Sequence, residues 1–145
     1  MAKFANGLYY PQNVSKYVGK SYPRYRSSWE KKVFQWLDLS PGVIAWGSEL
    51  VKIPYQNPLT GKLSNYIPDL MIKYRDASGR EHAELVEIKP IKETLVEFAK
   101  SKKDQMALAV NQSKWHQAQM WCKSKGLVFR VITEQDIFGI PKKKK

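Results

Sequence analysis

The sequence predicts an α/β fold, a mixed sheet flanked by helices in the order α-β-β-β-α-β-α. Three observations predict it. An apolar pattern of helical period lies ahead of Pro41-Gly42. Short β-type runs separated by turn residues fill 44–89. A long helical stretch then stops at Gly126 and leads into one more apolar run, which reads as a β-α-β crossover.

Residues 1–26 precede the first helix as a basic-aromatic arm. Tyr9, Tyr10, Tyr17, Tyr22 and Tyr25 are interleaved with Lys3, Lys16, Lys20, Arg24 and Arg26, while Pro11, Gly19 and Pro23 break any periodicity. The arm is therefore expected to be extended or irregular. It suits stacking on bases and neutralising phosphates, and equally docking on a protein partner. The first helix starts at Ser27 or Ser28 and runs to about Leu39. Trp29, Val33, Phe34, Trp36 and Leu37 share one arc of it, with Lys31, Lys32 and Gln35 opposite. Glu30 falls inside the apolar arc, where an unpaired charge is costly. Ser27-x-x-Glu30 is also a capping box, in which Glu30 reaches back to a backbone N–H.

The strands follow. Ile44-Ala45-Trp46 and the run Glu49 to Tyr55 come first, then a turn over Gln56 to Gly61. Asn65 to Tyr74 is the second main strand, with Pro68 near its start, and Asp76-Ala77-Ser78-Gly79 is the next turn. Glu81 to Lys89 is the third strand, ended by Pro90. A helix is expected over about Leu95 to Lys125, closed by Gly126 as its C′ residue. Leu127 to Ile132 is the fourth strand, expected parallel to the third through a right-handed crossover. Thr133-Glu134-Gln135-Asp136 offers a capping start for a short last helix. The main domain thus spans 27–140, and the run of lysines in 141–145 should be disordered when free.

Charge narrows the function. Lys and Arg number 25 against 13 Asp and Glu, a formal +12, so a polyanion is the expected partner and nucleic acid the commonest one. A hydrophobic content of 43% argues against a disordered basic tail. No run of about 18 apolar residues suggests a membrane span, and Met1 to Gly7 has no apolar stretch to serve as a signal peptide. One cysteine, Cys122, and two histidines, His82 and His116, fall short of the four ligands of a structural zinc site. Both histidines read as ordinary surface residues, and Trp115 and Trp121, at helical spacing, as core residues rather than base-stacking platforms.

The turn near residues 77–78 sets the hairpin register, so facing residue numbers sum to about 156. Asp69 then lies opposite Glu87, and Leu70 opposite Val86. Facing side chains have Cβ atoms about 5 Å apart, and Lys89 shares the face of Glu87. Asp69, Glu87 and Lys89 should converge, with Val86 and Ile88 on the other side together with Glu84, which is left out on parity. Two carboxylates so close repel unless a cation intervenes, and their oxygens suit Mg²⁺. Lys89 is placed to orient or help deprotonate an attacking water, or to steady charge on a phosphate. Glu30 could supply one more carboxylate.

Ile67-Pro68-Asp69, seventeen residues, then Glu87-Ile88-Lys89, preceded by a helical Glu30, resembles the PD-(D/E)xK nuclease signature. The resemblance implies the restriction-endonuclease-like α-β-β-β-α-β core and Mg²⁺-dependent hydrolysis of DNA, with Mn²⁺ expected to substitute. It implies Asp69, Glu87 and the backbone carbonyl of Ile88 as metal ligands, Lys89 as catalytic lysine and Glu30 as the acid that completes the site. Tyr25 to Glu30, Ile53 to Lys62, Val86 to Pro90 and Lys114-Trp115 further resemble the head completion nucleases of T-even-type bacteriophages. That implies processing of packaged DNA before head–tail joining, with phage head or neck proteins as partners and no membrane. Its place would be the host cytoplasm during virion assembly, with retention in the virion left open. Arg24, Arg26, Lys103, Gln105 and Lys114 are candidate DNA contacts, since related nucleases often use a Gln or Lys from the helix after the motif. Two alternatives stand beside this reading: a DNA-binding joining protein that does not cut, and a junction-resolving or transposon-end-cleaving nuclease. The intact acid-acid-lysine set favours cutting.

Overall fold

A computed structural model of the chain describes residues 6–139; the lysine run of 141–145 and the first five residues of the arm lie outside the described residues. Gly7–Leu8 (β1) and Arg24–Tyr25 (β2) pair antiparallel, which closes the described part of the arm on itself. It is packed rather than extended, because Asp38 gathers it in. The Tyr9 hydroxyl donates to Asp38 Oδ2 (2.6 Å), and the amides of Gln12 and Asn13 donate to Oδ2 (2.7 Å) and Oδ1 (2.9 Å). Lys16 Nζ donates to the Asp38 and Ser40 carbonyls at the end of the first helix. Tyr9 and Tyr17 pack their rings on buried Trp46.

Helix α1 (Ser28–Leu39) begins as its sequence predicts: Ser27 Oγ accepts from the Glu30 amide (3.1 Å). Val33, Phe34 and Leu37 bury its apolar arc against the main sheet. That sheet has the order β3 (Val43–Ser48), β6 (Leu70–Arg75), β7 (Glu81–Ile88), β8 (Val128–Ile132), with β4 (Ile53–Gln56) and β5 (Leu63–Tyr66) paired apart from it. β3–β6 and β6–β7 are antiparallel, whereas β7–β8 is parallel and joined through helix α2 (Lys102–Lys125). Mixed sheet, crossover and flanking helices are as predicted. Leu70 faces Val86 and Ile72 faces Glu84, the expected register.

Alternation along the strands divides the core in two. Leu70, Ile72 and Val86 face α1 together with Val43 and Trp46. Leu85 faces the other way, toward Ala118 and Cys122 of α2 and toward Ile53, Tyr55 and Tyr66.

Three boundaries differ from expectation. The run Glu49 to Tyr55 is not one strand: Glu49 turns at φ 54°, and only Ile53–Gln56 (β4) is extended. Asn65 to Tyr74 is likewise split. Leu63–Tyr66 (β5) pairs with β4 in a separate two-stranded sheet, and Pro68, which has no N–H to donate, separates it from β6. The second helix starts at Lys102 rather than near Leu95, because Ser101 Oγ accepts from the Asp104 amide (3.0 Å) and caps it there. Val96–Phe98 forms a 3-10 turn instead. Gly126 closes α2 at φ 73°, its amide bonded to the last turn. The Thr133 amide donates to Asp136 Oδ2 (2.8 Å), capping a short π-helical turn over Gln135–Gly139.

Candidate active site

The loop between β5 and β6 carries Asp69 to the end of β7. Its Oδ2 accepts from the Ile88 amide (2.7 Å), so the acid is fixed against the strand it was expected to face. Glu87 is 8% exposed. Tyr66, at the end of β5, donates its hydroxyl to Glu87 Oε1 (2.7 Å). Lys89 Nζ lies 3.9 Å from Glu87 Oε2, and the Lys89 amide bonds to the Ile132 carbonyl, continuing the β7–β8 ladder. Glu87 is therefore not on an open polar face: the β4–β5 hairpin covers it.

Burial, then the charge of Glu87, holds the Asp69 carboxyl above the usual carboxylate range, with Glu30 adding to the effect. Burial also raises Glu87, and the Tyr66 hydroxyl and the Lys89 and Lys114 charges oppose it. Burial, then Glu87 and Asp69, push the Tyr66 phenol up, in keeping with its role as donor to Glu87. Two carboxylates that resist ionising together are what a bound cation would relieve.

Glu30 serves the cap and the cluster together. Its Oε1 accepts from the Arg26 amide (2.6 Å), one residue before the N-cap. It also lines a shallow cleft with Arg24, Arg26, Phe34, Ser48, Glu49 and Asp69. Burial raises Glu30 as well, against the amide and charge of Arg26. Glu49 is an acid that sequence reasoning missed. Its amide donates to the Asp69 carbonyl (3.0 Å), and its carboxylate meets Arg26 Nη1 at 3.1 Å. The signal was indirect: a left-handed non-glycine residue is uncommon and clusters at functional sites, but only coordinates reveal it.

Among the described residues no group of three or more His, Cys, Asp or Glu side chains is arranged to hold a metal ion. The donor set is smaller: two carboxylates withdrawn from solvent, with oxygens left over after their hydrogen bonds. Mg²⁺ typically takes one or two carboxylates and completes its shell with waters and substrate phosphates. The residues present fit a hard divalent cation.

The pattern of TnsA-like endonuclease N-terminal domains matches residues 40–134. It takes in Asp69, Glu87 and Lys89 and leaves Glu30 outside. The head completion nuclease of Enterobacteria phage T4 is 40% identical over 91% of this chain and 93% of its own length. The chain belongs to the TnsA-like N-terminal endonuclease family. As a member of it, the chain is a DNA nuclease of restriction-endonuclease-like fold, and its family generally works with a divalent metal. Among the described residues no helix is long and apolar enough to cross a membrane.

The remaining candidates of this family member divide by position. Lys114 lies over the rings of Tyr55 (5.7 Å) and Tyr66 (5.8 Å), beside the acids. Arg24 and Arg26 border the Glu30 cleft. Gln105 does not reach the acids; its Nε2 donates to the Ala99 carbonyl (3.2 Å) and braces the loop before α2. Lys103 is exposed on the first turn of α2. Glu84 sits on the α1 side, bonded by the Tyr74 hydroxyl (2.7 Å), as its parity requires. Trp115 and Trp121 pack against the second core cluster.

Proposed function

We propose that this endonuclease cuts DNA with Mg²⁺ held by Asp69, Glu87 and the Ile88 carbonyl, and that it acts in phage head completion. The observation that carries the site is the meeting of Asp69 and Glu87 at the end of β7 with Lys89 3.9 Å from Glu87 Oε2. Mg²⁺ bound there supplies Lewis acidity toward the scissile phosphate and lowers the pKa of a water. The chain's own groups do the rest. Lys89, beside Glu87 Oε2, would orient the attacking water or steady charge developing on the phosphate, and Glu30 adds negative charge next to Asp69. Arg24, Arg26, Lys103 and Lys114 would neutralise flanking phosphates.

The head completion role is supported by likeness over nearly the whole length to the T4 protein of that name. Partners among head or neck proteins, and action within the infected cell, follow from that role.

The purified protein should nick plasmid DNA with Mg²⁺, with Mn²⁺ substituting and EDTA stopping the reaction. Asp69→Ala, Glu87→Ala and Lys89→Ala should each lower the rate about 10²-fold or more, in line with the loss of one preorganised catalytic group, while plasmid binding in gel shift persists. Parent-like cutting by Asp69→Ala or Lys89→Ala refutes the site. In an infection lacking the active chain, filled heads without tails should accumulate, and only the cutting-competent protein should restore joining.

A further inference from the structure

We propose that Tyr66 is a positioning residue of the nuclease site, holding one oxygen of Glu87 so that the other is presented to the cation. This rests on the reading that Asp69 and Glu87 bind the metal. Tyr66 is 4% exposed, and its hydroxyl donates to Glu87 Oε1 at 2.7 Å. Oε2 is thereby turned toward Lys89. The Ile88 amide does the same for the other acid by occupying Asp69 Oδ2. Each carboxylate keeps one oxygen for the protein scaffold and one for a ligand, Glu87 Oε2 and Asp69 Oδ1.

The phenol is itself held. Its ring packs edge-on to Phe129 with centroids 6.3 Å apart, and the Lys114 ammonium lies over it. It comes from β5, outside the main sheet, so the β4–β5 hairpin is built into the site and is not an ornament of it. Without this bond only the Asp69 amide restrains Glu87, and the carboxylate can rotate to present either oxygen. Outer partners that orient metal ligands are commonly worth 10–100-fold in metal affinity.

The test is Tyr66→Phe in the full chain, which keeps the ring and removes the hydroxyl. Mn²⁺ is titrated by calorimetry without DNA, and the Kd should rise about tenfold or more. Calorimetry also reports the number of sites, so partial misfolding lowers stoichiometry without moving the Kd. In plasmid nicking the Mg²⁺ midpoint should rise by a similar factor, with the rate recovering at saturating Mg²⁺. A merely structural role would instead depress the saturating rate and leave the midpoint in place. Tyr55→Phe, on the same hairpin, should leave the Mn²⁺ Kd unchanged; an equal loss there overturns the proposal. If Asp69→Asn abolishes Mn²⁺ binding and Tyr66→Phe binds as the parent does, the positioning role fails alone. Parent-like binding by Asp69→Asn overturns the metal reading beneath it.

Discussion

Asp69 is buried beside a second acid, and at neutral pH this works against folding. Its carboxyl is held above the ordinary value by burial and then by Glu87, so the metal-free folded chain holds a proton there more tightly than the unfolded chain does. Stability from such a group is present below the unfolded carboxylate pKa of about 4 and is lost as pH rises through the folded value. Metal-free Asp69→Asn should therefore melt a few degrees above the parent at pH 8, and the gap should narrow toward pH 4. Calorimetric melts in EDTA decide this, and a lower Tm for the variant at pH 8 would contradict it. The acid pair and Lys89 were legible because hairpin register is local arithmetic from one turn, and Leu70 facing Val86 bears that arithmetic out. Tyr66 and Glu49 were not legible. One arrives from a separate two-stranded sheet, the other from a left-handed residue at the end of β3, and no spacing encodes either.

The arm and the β3–β6 edge are where elements depend on one another. Asp38 sits in the last turn of α1, where the helix dipole disfavours an acid, a hint that it is engaged elsewhere. It is fully buried and accepts from Tyr9, Gln12 and Asn13. Burial raises its pKa, but those hydrogen bonds prevail and leave it below the usual value. Its contribution is thus present above about pH 4 and lost as pH falls through the folded value. Asp38→Ala leaves three donors unpaired and should cost about 3 kcal/mol at pH 7, read from urea denaturation, with the difference shrinking in acid. A second test concerns Gly47 in β3. A Cβ there would press on the Leu50 side chain and lie 2.5 Å from the Val18 carbonyl oxygen, at the point where the Val18 amide bonds to the Trp46 carbonyl (2.8 Å). Gly47→Ala should cost about 1–3 kcal/mol, as overpacking does. An unchanged denaturation midpoint would show that the arm yields freely. Helix and strand identities were legible here from periodicity, whereas the folding back of the arm was not. The arm read as extended or irregular because Pro11, Gly19 and Pro23 erased any period.

At the scale of the molecule, a formal +12 surrounds a small acidic centre. Raising salt from about 50 to 200 mM should weaken plasmid binding by about 10³-fold or more if six or more phosphates are neutralised, because counterion release drives the association. A salt-insensitive affinity in the same gel shift would count against a phosphate grip. Charge, periodicity and the spacing of Pro68-Asp69 from Glu87-Ile88-Lys89 are properties of neighbours along the chain or across one turn. By itself the sequence therefore determined the mixed sheet, the polyanion partner and the acid-acid-lysine set. Tertiary structure alone decided that Tyr66 covers Glu87, that Glu49 and Arg26 flank Asp69, and that Asp38 draws in the arm. Those contacts join segments about 20 or more residues apart through packing, and long-range packing leaves no local pattern to read.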